Sequence, residues 1–146
     1  MWNFGGILYR VWAVGGIILL LGAACLLVSK IGREDFNKKD CCIAGVFCSV
    51  VGIAAMIYFL FCMFFPQVSS IQGTFTQEYR NSRVAPPLPF TYEYTFYDDD
   101  GFAGAFYLDT FTRKEIIPQG FILNEEYIVY YEARTNVIVG VEMVTP

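Results

Sequence analysis

The 146-residue chain contains no histidine, and charged residues make up only 16 % of it, against about 25 % in ordinary soluble domains. Without histidine the chain lacks the commonest general base, the commonest metal ligand and the usual switch near neutral pH. Charge is scarce while hydrophobic residues reach 55 %, and this excludes extended disorder, which needs the reverse balance. Basic residues are the minority, ten Lys and Arg against fourteen Asp and Glu, so a nucleic-acid binder is not expected. Cysteine is missing after Cys62, so disulfides cannot staple the C-terminal region. The five cysteines, Cys25, Cys41, Cys42, Cys48 and Cys62, form no C-x-x-C pair, and without histidine no zinc site is expected. No nucleophile elbow, phosphate loop or metal signature is present. The composition thus points away from an enzyme and away from any cofactor.

What the chain does have is two long apolar runs. Residues 11–29 and 41–65 contain 19 and 25 residues without a charge. As helices rising 1.5 Å per residue they would be roughly 28 and 37 Å long, against a bilayer core about 30 Å thick. Neither run keeps the polar stripe of a buried soluble helix. The first also exceeds the apolar core of a secretory signal, and Leu26, Leu27 and Val28 continue past the position where a lipoprotein-type cleavage before Cys25 would fall. An uncleaved two-helix transmembrane hairpin is therefore expected over 1–65, with loop 30–40 between the helices. That loop carries Lys30, Arg33, Lys38 and Lys39, whereas Arg10 is the one basic residue before the first run. The positive-inside rule then makes the loop cytoplasmic and the rest extracytoplasmic. Trp2, Phe4, Tyr9 and Trp12 are placed as headgroup-level aromatics.

Small residues recur in both runs: Gly15, Gly22 and Ser29 in the first, Gly45, Ser49 and Gly52 in the second. They are the candidate helix-packing residues, because small side chains let membrane helices approach closely. Packing within the hairpin is the favoured reading, and a homo-oligomer or a partner helix is the other. Neither run contains Asp, Glu, Lys or Arg, which argues against a self-sufficient transporter. Cys41 and Cys42 stand at the expected membrane boundary, where acylation is one reading and small apolar packing the preferred one.

From Pro66 onward the character changes. Segment 66–146 carries five Lys/Arg against eleven Asp/Glu, net −6, while 1–65 carries net +2. The hydrophobic period becomes two, with Phe90, Tyr92, Tyr94 and Phe96 on one face of a segment and Thr91, Glu93 and Thr95 on the other. Similar alternation covers 71–79, 102–110, 126–132 and 137–143, the last with Val137, Val139, Val141 and Met143 on one face. Asp98-Asp99-Asp100-Gly101 reads as a hairpin turn. The aspartates also have the oxygen chemistry of a cation site, although they lack a longer ligand loop. The run 84–89 reads as a stiff proline-rich loop, and Glu125-Glu126 as surface charge. The expected fold class is membrane α+β: the hairpin followed by a small antiparallel β domain over 66–146, of about five strands and SH3- or OB-like size, with no helix among them.

Three stretches carry a family resemblance. They are Gly73-Thr-Phe75, the strand and turn from Phe90 to Gly101, and Asn124 to Asn136 with the strand running on to Val144. Over roughly residues 71–145 the chain resembles a family of uncharacterised bacterial membrane proteins in which a small β domain is attached to transmembrane helices. The resemblance implies a fold and a location but no activity. The resulting expectation is a non-enzymatic, membrane-anchored interaction or accessory subunit with an unidentified protein partner. The competing expectation is a component of a small oligomeric channel or transporter.

Overall fold

The structure, a computed structural model, describes residues 2–31, 38–80, 91–98 and 101–144. Helix α1 (Gly5–Arg10) runs through a π-helical segment (Val11–Gly16) into α2 (Ile17–Ile31), and α3 spans Lys38–Phe64. Gly5–Ile31 and Lys38–Phe64 are both long and apolar enough to cross a membrane. Only 17 % and 11 % of their most apolar windows are buried, unlike the core helix of a soluble protein. Both outrun their charge-free stretches at the N-terminal end, because helix geometry tolerates Lys38, Lys39 and Arg10 at positions that sequence hydropathy rejects.

The chain forms two compact units. One is Arg10–Phe61; the other joins Met1–Tyr9 to Cys62–Pro146. The first nine residues therefore go with the β unit, whereas the composition of the chain divides at Pro66.

The β unit contains β1 (Val68–Arg80), β2 (Thr91–Asp98), β3 (Gly101–Asp109), a short helix α4 (Thr110–Ile116), β4 (Glu126–Glu132) and β5 (Val137–Met143). The pairing order is β1-β2-β3-β5-β4, and β4 pairs with β1 in turn. The long β1 makes this possible: Val68–Thr74 pairs with β4 and Thr74–Arg80 with β2. Gly73 sits where β1 changes partner, and a Cβ there would lie 2.9 Å from the Tyr97 carbonyl oxygen. All ladders are antiparallel except Tyr107↔Val137 between β3 and β5. The sheet is thus mixed, not purely antiparallel as alternation alone suggested, since period-two patterning does not encode strand direction.

Aromatic residues build the core. Phe75, Tyr94, Phe96, Phe106 and Tyr127 join Leu108, Ile117, Val129 and Ile138. Phe121 is packed into the same cluster, its ring about 5 Å from those of Phe75, Tyr94, Phe96 and Tyr127. The expected inward face of β2 holds for Tyr94 and Phe96; Phe90 lies outside the described residues.

Two further expectations are corrected. On β5 Ile138 joins the core cluster with Val141 packed against it, and Met143 is exposed. An extra residue, Val139, interrupts the pairing with Tyr130 and Tyr131 and shifts the phase of the strand. Val137 and Val139 are buried as well, because the N-terminal segment covers that side. The Asn3 amide donates to the Val139 carbonyl at 2.9 Å, and a Cβ on Gly6 would meet Val137 Cγ1 at 2.7 Å. The second correction is α4, which occupies part of a region expected to contain strands only. The Asp109 carboxylate caps it, accepting from the amides of Phe111 and Thr112, while Arg113 and Lys114 fill the last turn.

Candidate functional site

The candidate helix-packing residues meet within the Arg10–Phe61 unit. A Cβ on Gly22 would lie 2.5 Å from Ser49 Oγ, 2.8 Å from the Ser49 nitrogen and 2.9 Å from the Gly45 carbonyl oxygen. One on Gly52 would lie 2.8 Å from the Leu19 nitrogen and 3.0 Å from the Gly15 carbonyl oxygen. Gly15 abuts Met56, and Gly45 abuts Leu26. The backbones of the two helices therefore touch along the line Gly15–Gly52 and Gly22–Gly45–Ser49, and a Cβ at Gly22 or Gly52 would collide with backbone atoms of the facing helix. Ser49 Oγ donates to the Gly45 carbonyl at 2.8 Å, and Ser29 Oγ to the Leu26 carbonyl at 2.7 Å. Each hydroxyl donates to a carbonyl of its own helix.

The β unit adds two polar clusters. Glu132, at the end of β4, is fully buried and fully engaged. Its carboxylate accepts from Arg134 Nε at 2.6 Å, from the Thr135 amide at 3.0 Å and hydroxyl at 2.9 Å, and from the Gln67 amide at 3.4 Å. Arg134 Nη2 in turn donates to the Phe65 carbonyl at 2.6 Å. One carboxylate thus ties the β4–β5 turn to the chain leaving α3, and the burial of its charge is offset by these donors. Such a knot positions an element; it offers no open ligand position.

The second cluster is centred on Arg113 of α4. Its Nε donates to the Tyr94 hydroxyl at 2.7 Å, its Nη2 pairs with Glu78 at 3.0 Å, and its guanidinium lies 4.5 Å from the Tyr92 ring centroid. Burial, reinforced by the Glu78 charge, pushes the Tyr94 phenol well above its ordinary range despite Arg113. For Arg113 burial opposes the charge, but Tyr94 and Glu78 outweigh it and raise its affinity for the proton. The cluster links α4 to the core residue Tyr94 and to β1 and β2.

The remaining candidates stay apart. Asp98 is exposed and pairs with Gly101 across the β2–β3 turn, while Asp99, Asp100 and the 84–89 run lie outside the described residues. Glu125 and Glu126 are exposed, and Glu126 accepts from Gln72. The five cysteines are free thiols. Among the described residues no group of three or more His, Cys, Asp or Glu could hold a metal ion. Trp2, read as a headgroup-level aromatic, has its ring 4.7 Å from Tyr130 in the β unit. The polar clusters escaped sequence reading because their members are far apart in the chain. The cap of α4 did leave a local trace, with Asp109 before the helix, Arg113 and Lys114 late in it and Pro118 just after. Comparison with protein-family models, with curated proteins and with solved structures finds no match for this chain.

Proposed function

We propose that the protein is a non-enzymatic, membrane-anchored β domain, acting as an interaction or accessory subunit in a bacterial plasma membrane. The observation that carries the anchoring is the outward surface of the helical unit. Away from the glycine seam, Leu20 is 70 % exposed, Phe47 68 % and Ile57 61 %, among many similar neighbours. An apolar surface of that extent needs a covering, and lipid covers it without further chain. The make-up of the β unit supports a hairpin that crosses twice: the start of the first long helix and the end of the second belong to one unit, so the chain between them crosses an even number of times. The strand order, with a helix between β3 and β4, supports an OB-type barrel over 66–146. The same outline supports kinship with the bacterial membrane proteins that residues 71–145 resemble. The basic residues of loop 30–40 support a cytoplasmic loop and an extracytoplasmic β unit.

The seam favours an anchor over a pore, since the small-residue faces that could line a channel are occupied by each other. The test is purification in nanodiscs after crosslinking in native membranes, with ion flux measured in liposomes. A defined protein partner and no flux support the proposal; robust flux by the protein alone overturns it in favour of an oligomeric channel. Sidedness is read from Gln119→Cys, an exposed position, in a background without native cysteines. Labelling of intact cells by an impermeant thiol reagent is expected, and protection until lysis would reverse the orientation.

A further inference from the structure

We infer that α4 is a membrane-surface element, with Phe111 seated in the headgroup layer of the bilayer that the first long helix enters. The inference rests on the membrane anchoring proposed above and adds a lipid contact made by the β unit itself. Helix α4 lies close beside α1. The Asp109 carboxylate caps it, a Cβ on Gly5 would lie 2.8 Å from Thr112 Oγ1, and one on Gly6 would lie 3.3 Å from Asp109 Oδ2. Thr112 and Ile117 are buried and Arg113 reaches Tyr94 and Glu78, whereas Phe111 is 70 % exposed. In water this would be an unfavourable place for the largest apolar side chain of the helix.

The neighbour of Phe111 explains the placement. Its ring centroid lies 6.3 Å from that of Tyr9, and Tyr9 stands two residues before the charge-free run that begins at Val11. Two helical residues rise about 3 Å, and the polar layer on each side of a bilayer is about 5–7 Å thick. A ring beside Tyr9 is within reach of the layer where aromatic side chains collect. Lys114 is exposed and lies three residues on, on the same face of α4. It supplies a cation next to the aromatic anchor, suited to anionic headgroups.

The test uses the full chain in proteoliposomes with lipids brominated near the top of the acyl chains. One protein carries Trp2→Phe, Trp12→Phe and Phe111→Trp; the other carries Trp2→Phe alone and reports Trp12. The Phe111→Trp protein is expected to lose roughly half its emission relative to unbrominated lipid, as an interfacial aromatic should. Full emission from Phe111→Trp beside a quenched Trp12 overturns the surface contact while leaving the anchoring intact. Full emission from both overturns the anchoring, and the contact with it. A spin label on Phe111→Cys in a cysteine-free background gives a second reading that does not depend on the tryptophan variant: restricted access to an aqueous nickel reagent is expected, and free access overturns the contact.

Discussion

The two units solve the packing problem in opposite ways. In the helical unit contact comes from what is missing, since Gly15, Gly22, Gly45 and Gly52 bring backbone against backbone. In the β unit contact comes from bulk, with Phe75, Tyr94, Phe96 and Phe121 filling one cluster. The difference follows from the solvent each unit is proposed to face. In lipid, burying a leucine against another helix gains little over burying it among acyl chains, so close approach decides. In water, each large ring withdrawn from solvent contributes directly.

Substitutions that exchange the two strategies should separate the units. Phe96→Ala removes a fully buried ring that touches Phe75, Phe106 and Phe121. It should cost the β unit about 4 kcal/mol, seen as lost near-ultraviolet dichroism at a temperature where the helical signal persists. Simultaneous loss of both signals would show that the units melt as one. Glu132→Ala leaves Arg134 without its carboxylate and should cost about 3 kcal/mol. Its signature is earlier proteolysis near Gln67, and unchanged cleavage would mean that the Phe65 contact holds alone. Gly22→Val inserts atoms where a Cβ already meets Ser49 and Gly45, at about 2 kcal/mol. Here the helical unit should weaken, read as lost crosslinking between cysteines placed across the seam, with the β unit unaffected.

The smaller effects concern α4 and pH. Asp109→Ala removes the cap and should lower β-unit stability by about 1 kcal/mol, with faster amide exchange at Phe111 and Thr112. Tyr94 binds its proton more tightly folded than unfolded, so its contribution is complete below the ordinary phenol value of 10.0. It is lost as pH rises beyond that value, because the unfolded chain ionises first. The melting temperature should therefore fall above about pH 10, and less steeply in Tyr94→Phe than in the parent chain.

Legibility in the sequence followed the same divide. The small-residue spacing in two apolar runs was readable because a helix has one period and the interface follows it; Gly22 and Gly52 stand where that period puts them. Strand positions were readable from alternation, within a few residues at each end. The covered outer side of β5 was not, since a bulge at Val139 and the distant Asn3–Gly6 segment determine it. Nor was the Glu132 knot, whose donors come from Gln67, Arg134 and Thr135. Short-range patterns reveal which faces are apolar; they do not reveal which distant segment returns to cover them.

The seat of the N-terminal segment has a consequence for how the chain is made. Asn3 is synthesised well before Val139, the residue whose carbonyl it must reach. At about 5–20 residues per second, the segment waits roughly 7–30 seconds for its partner. During that interval both apolar helices have emerged and β5 has not. The β unit therefore closes only after β5 has been translated, and until then Ile7 has no finished surface against which to hide.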